Sequence, residues 1–208
     1  MEQALKLLDI YRRKKLSYYQ WRTQATFLAK IALAICLACL TGLLAQVKVY
    51  LPWTPVPLVA SQLGIILAAV LLGRRWGGIS MLFYALGGAA GIPWFAGFQG
   101  GLTALAGPTG GYILGFILAA LFMGSLFDNV LESRRLVPLT AAILFAQLVL
   151  VYIPGLIHLS LWLALVKGQA LTLSSVLWLG YIPFIAGDIL KSLIGAGLAK
   201  AVITMDKY

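Results

Sequence analysis

Apolar residues run along this chain in long blocks, and proline and glycine crowd the gaps between them. The blocks fall at about 27–46, 57–73, 76–90, 109–127, 137–164 and 180–202. A helix needs roughly 20 apolar residues to cross a bilayer, so the pattern predicts an all-α membrane protein with six transmembrane helices. Leu51-Pro-Trp-Thr-Pro-Val-Pro57 separates the first two blocks, and Gly73-Arg-Arg-Trp-Gly-Gly78 the next two. Residues 91–108 form a long glycine-rich connection. Asp128–Arg135 is short and charged, and Lys167–Leu179 links the last two blocks.

Residues 1–26 read differently. Arg12, Arg13, Lys14 and Lys15 stand in a row, followed by Tyr18, Tyr19, Trp21 and Arg22. Aromatics beside cations suit the headgroup layer, so 1–26 is expected to be a basic, amphipathic interfacial segment. It lacks the short apolar core of a cleavable signal and is expected to stay with the chain. Residues 27–208 then form the six-helix transmembrane domain.

Composition agrees. The chain is 62% hydrophobic and 11% charged, against about 25% charged in soluble domains. Mean hydropathy is +0.95. The net charge of +10 does not point to nucleic acid, because the cations segregate. With six crossings, twelve of the sixteen lysines and arginines fall on the side of the termini and of Arg74, Arg75, Arg134 and Arg135. Only Lys48 and Lys167 fall in the opposite loops. An excess of cations marks the cytoplasmic side, which places both termini in the cytoplasm and the proline- and glycine-rich loops outside.

One block breaks the apolar rule. Asp188 and Lys191 lie three residues apart inside 180–202. A charge at membrane depth costs on the order of 3 kcal/mol on insertion scales, so it is kept where it pairs, faces an interior or does a job. At i and i+3 the two side chains share a helix face. Asp accepts N–H groups and Lys donates to carbonyls, so a small planar group with both, such as a urea, would match them. A self-satisfied ion pair bracing the bundle and a proton relay are the other readings of the same residues.

Other polar groups fall on the outer side. Gln62 lies in the outer half of the second block, Gln99 in the 91–108 loop, and Tyr112 at the start of the fourth block. Trp94 and Phe95 can wall a pocket or anchor at the interface. The 91–108 loop is too apolar for a solvated linker, which suggests a lid over a cavity. Ala34 and Ala38, four apart in the first block, and Gly111 and Gly115 in the fourth, have the spacing of close helix contacts. Ala34 and Ala38 fit docking on another membrane subunit. Cys36 and Cys39 read as apolar fillers.

Enzyme signals are missing. His158 is the single histidine, and neither a His-Glu-x-x-His helix nor a Walker phosphate loop is present. No residue set reads as a metal site. Gly187-Asp188 is shared with intramembrane aspartyl proteases, but these need a second aspartate in another span. No inverted repeat with broken half-helices stands out.

In order along the chain come Pro55-Val-Pro57, Gln62, Gly91-Ile-Pro-Trp-Phe-Ala-Gly-Phe-Gln-Gly-Gly101, Gly107-Pro-Thr-Gly-Gly-Tyr112 and Pro183-Phe-Ile-Ala-Gly-Asp188-x-x-Lys191. This series resembles the BioY family, the biotin-binding S components of energy-coupling factor (ECF) transporters, from about residue 28 to 202. The resemblance implies a six-helix S-component fold in the cell membrane, with a biotin pocket near the outer face under the first and third outer loops. It implies that Asp188 and Lys191 hold the ureido ring, that Gln99 stands where some members place a biotin-contacting Asn, and that docking on the coupling subunit uses Ala34 and Ala38. Some members carry Arg after the Tyr112 position; here it is Ile113, so a hydroxyl, amide or backbone N–H of the lid loops is expected to hold the carboxylate instead. The implied partners are a transmembrane coupling protein and two ATP-binding cassette ATPases, which use the ATP; this chain needs no cofactor. Some members work without the ATPases. The alternative is a carrier, solitary or ECF-linked, for another small heterocyclic vitamin.

Overall fold

The computed structural model describes residues 2–169 and 171–204. Its elements are α1 (Glu2–Gln24), α2 (Phe27–Ala45), β1 (Lys48–Val49), β2 (Leu58–Val59), α3 (Ser61–Ala89), α4 (Leu102–Leu105), α5 (Gly110–Asn129), α6 (Leu136–Phe145), α7 (Tyr152–Lys167), α8 (Leu173–Gly180) and α9 (Ile185–Val202). Single-turn segments at Leu131–Arg134, Ala146–Leu150 and Ile182–Phe184 join some of them. Among the described residues, five stretches are long and apolar enough to cross a membrane: Phe27–Ala45, Ser61–Ala89, Gly110–Asn129, Leu136–Lys167 and Leu173–Val202.

The second and third predicted blocks merge into α3, but the helix is broken at Gly73, where φ is 74° and ψ is −168°. A side chain rarely adopts that φ. The chain doubles back there. A Cβ placed on Gly77 would sit 2.9 Å from the Ala68 carbonyl oxygen, whereas nine residues of straight helix span about 13 Å. The turn strands carbonyls at the end of the first half of α3, since the last carbonyls of a helix lack intrahelical partners. The hydroxyl of Tyr19 donates to Val70 O (3.1 Å) and that of Tyr18 to Leu71 O (3.2 Å). Asp128, at the end of α5, accepts the Arg74 N–H (3.0 Å) and pairs with Arg22 (2.7 Å). So α1 is docked on the bundle through a buried Tyr19, while Trp21 is exposed.

The block predicted from 57 starts at Ser61 instead, because Leu58–Val59 pairs antiparallel with Lys48–Val49. This short hairpin is the one strand pair among the described residues, beside an isolated bridge between Phe95 and Gln99. It folds the proline-rich first loop back over the end of α2.

The expectation that Ala34 and Ala38 form an outward docking face is corrected. Both have no exposed surface. Their small side chains let α3 approach closely enough for Ser80 Oγ to donate to Ala34 O at 2.8 Å. Leu28, Ile35, Cys36, Cys39 and Leu43 of α2 point outward instead. Gly111 and Gly115 also serve contacts within the chain. A Cβ on Gly111 would meet Pro154 O at 2.2 Å, and one on Gly115 would meet Val151 Cα at 2.6 Å.

The predicted 137–164 block is a continuous rod, Leu136–Lys167, with one wide turn. Pro154 has no N–H to offer Leu150 O, and the ladder widens just before it into a π-helical segment, Ala146–Leu150. Val151 N–H reaches back five residues to Ala146 O (3.1 Å). Part of the predicted 167–179 link is also helical. The α8 helix starts from an N-cap at Thr172, whose side chain accepts from Ser175 N.

Candidate ligand-binding site

Pro183 sits in the 3-10 turn Ile182–Phe184, and α9 starts directly after it. That start puts Asp188 in the first turn of α9, where the helix dipole and free N–H groups favour a negative charge. Asp188 is 1% exposed. Lys191 follows one turn later and forms an ion pair with Asp188 Oδ1.

Two further side chains complete the arrangement. Gln62, in the first turn of α3, donates Nε2–H to Asp188 Oδ2 at 2.8 Å. Tyr152, at the start of α7, donates its hydroxyl to the same oxygen. Lys191 also donates to Val59 O of β2 at 3.0 Å. An ammonium has three donors, so one Lys191 N–H has no partner among the described residues. Gln62 Oε1 is buried and likewise unpartnered there. A free donor and a free acceptor therefore lie on either side of a neutral ion pair.

These groups face a cavity of about 60 Å³. A single water needs only ~10–15 Å³, so the space takes a larger guest. Gln62, Asp188 and Lys191 give it a polar end. Val56, Tyr84, Phe95, Ile113, Phe116 and Phe184 give it apolar walls. A mostly apolar pocket with a few aimed polar groups is the usual form of a small-molecule site.

Two loops close over it. Residues 56–59 line one side and Phe95–Ala96 another. Gln46, the C-cap residue of α2, ties down the 91–108 loop. Its Nε2 donates to Trp94 O (3.2 Å) and Phe95 O (3.1 Å), and its Oε1 accepts from Phe98 N–H (2.9 Å). Phe95 is buried against Tyr84, ring centroids 5.4 Å apart.

Of the residues singled out in the sequence, the structure brings Asp188, Lys191, Gln62, Tyr112 and Phe95 to this cavity. Tyr112 turns its hydroxyl away from Asp188 to Gly180 O (2.8 Å) and presents its ring. Trp94 stands behind the wall, its indole N–H on Tyr84 O (2.8 Å). Gln99 is exposed, and its backbone carbonyl accepts from Phe95 N–H (3.0 Å). Neither Trp94 nor Gln99 lines the cavity. His158 contacts Gly107 O (2.9 Å), away from Asp188.

Sequence reasoning missed Tyr152. A tyrosine in an apolar block reads as an interfacial anchor. The signal available was Pro154 two residues on, which marks an irregular turn where polar groups can gather.

A model of the BioY family matches residues 13–207. The chain belongs to the BioY family. Its BioY relatives include the probable biotin transporter of Methanothermobacter thermautotrophicus, 44% identical over 68% of this chain and 90% of that one. The biotin transporter BioY of Rhizobium etli is 34% identical over 78% and 84%. The probable biotin transporter of Pyrococcus horikoshii is 35% identical over 86% and 94%. BioY is a family of transporters, not of enzymes. The fold is that of the crystallised S-component for biotin from an ECF-type ABC transporter, with a TM-score of 0.72 at 22% identity, over 83% of this chain and 89% of that one.

Proposed function

We propose that this chain is the membrane-embedded biotin-binding and transport subunit of a vitamin importer, and that biotin's ureido ring lies against Asp188, Lys191 and Gln62. One observation carries the site assignment. The free donor of Lys191 and the free acceptor of Gln62 flank a buried, charge-neutral pair on the wall of an apolar cavity. A ureido group needs that pattern, a donor for its carbonyl and acceptors for its N–H groups. Asp188 Oδ1 keeps a lone pair for the second N–H. The fused thiophane ring then fits among Tyr84, Phe95, Phe116 and Ile113.

The chain crosses the membrane six times, counting the two halves of α3 on either side of Gly73 as separate crossings. Both termini lie in the cytoplasm, in line with the cation distribution. The site then opens toward the outside, beneath the hairpin and the 91–108 loop. The protein works in the cell membrane with a transmembrane coupling protein and two ATP-binding cassette ATPases, which use the ATP, and it carries no cofactor. Ala34 and Ala38, being buried, contribute to that assembly only by shaping α2.

Mass spectrometry of the small molecules that copurify with the detergent-solubilised chain tests this reading. Biotin is expected, released on denaturation and exchanged by added labelled biotin. A different heterocyclic vitamin released instead, with no exchange against biotin, would overturn it.

A further inference from the structure

Resting on the biotin reading, we propose that Lys48, assisted by the Tyr50 hydroxyl, holds the ligand's carboxylate where the two outer loops meet. Biotin's aliphatic tail ends in an anion, while the polar end of the cavity is already neutral because Asp188 and Lys191 cancel. A bound carboxylate therefore needs its own cation. Ile113, on the wall beside Tyr112, is a buried apolar residue and supplies none.

Neither Lys48 nor Tyr50 lines the cavity itself, but both lie against the 91–108 loop, whose Phe95 and Ala96 do. In the strand pair Lys48 lies opposite Val59, whose carbonyl accepts from Lys191. The two lysines are thus joined through one residue, Lys191 at the polar end and Lys48 on the outer side. Lys48, in β1, and Tyr50, just past its end, both reach the 91–108 loop. A Cβ on Gly97 would lie 2.7 Å from Lys48 Nζ and 2.8 Å from the Tyr50 hydroxyl. Gly97 follows Ala96, which lines the cavity, and Lys48 lies one helical turn's worth of chain beyond Ala45, which also lines it. Among the described residues Lys48 Nζ has an aromatic partner, the Tyr50 ring at 5.0 Å, and no carboxylate. Lys167, the other outer-side cation, stands at the far end of α7 over the Trp162 ring. A carboxylate bridging Lys48, Tyr50 and the backbone at Gly97 would also pin one lid to the other.

The test compares biotin with biotin amide, in which a neutral carboxamide replaces the acid, by calorimetry on the detergent-solubilised full chain. Wild type is expected to prefer biotin by about tenfold or more. Lys48→Gln should lose that preference by weakening biotin alone, leaving the amide's affinity unchanged. Lys48→Arg should retain most of the preference. Equal affinity of Lys48→Gln and wild type for biotin would overturn the assignment, as would an equal loss for both compounds. Failure of wild type to bind either compound would overturn the biotin reading itself, and this assignment with it.

Discussion

Tyr152 donates its hydroxyl to Asp188 Oδ2, the oxygen that also takes the amide N–H of Gln62. The carboxylate is therefore held from two other elements, α3 and α7, besides the lysine on its own helix, α9. Without those donors it would be a costly charge inside an apolar bundle. With them it is a fixed acceptor of set direction, prepared before any ligand arrives.

Replacing Tyr152 by Phe removes one of the two neutral donors and leaves the ring in place. Loss of a buried hydrogen bond to a charged group costs about 1.5–3 kcal/mol. Tyr152→Phe is expected to weaken biotin binding roughly tenfold or more, since ~1.4 kcal/mol is tenfold. Calorimetric titration checks it.

Gln62 has a double role, its N–H on Asp188 and its oxygen free for the ligand. Gln62→Met keeps the volume and loses both functions. It is expected to cost more affinity than Tyr152→Phe while shifting the unfolding midpoint less than removal of a charge. Parallel titration and thermal unfolding separate the two effects.

Breaking the ion pair differs from replacing it. Removing one partner of a buried pair costs about 3–5 kcal/mol, whereas apolar replacement of both is often neutral. Lys191→Met is therefore expected to lower the thermal midpoint clearly, and Asp188→Leu with Lys191→Met to recover much of it. Neither variant should bind biotin. Recovery of stability without recovery of binding would show that the pair is kept for the ligand and not for the bundle.

Gly73→Ala acts at the other end of α3. The φ of 74° disfavours a side chain, and the new Cβ would lie 2.2 Å from Asp128 Oδ2. It is expected to destabilise the fold by about 1–3 kcal/mol from the positive-φ extended backbone alone, a region essentially confined to glycine. Biotin affinity of the folded fraction should stay unchanged, because Gln62 lies eleven residues away. Thermal unfolding with and without ligand checks it.

These residues also show what could be read from the chain and what could not. Asp188 and Lys191 stood out because a charge in an apolar run is rare and has to be compensated. The reversal at Gly73 was legible as a glycine-flanked arginine pair, and the helix breaks there. The inward direction of Ala34 and Ala38 was not legible, since a span apolar on every face has no periodicity to mark its protein side. The strand pair 48–49 with 58–59 was hidden by its length, as two residues on each side are too few to alternate. Tyr152 was hidden because its partner lies in another helix. Gln99 was placed by likeness to an Asn in relatives, and here the loop uses its backbone and leaves its side chain exposed.

Biotin titrated calorimetrically into purified wild type, Asp188→Asn and Lys191→Met tests the ureido assignment most directly. Tight binding by wild type and a loss of tenfold or more in each variant is the expected result. Wild-type affinity in both variants would place biotin elsewhere and contradict it.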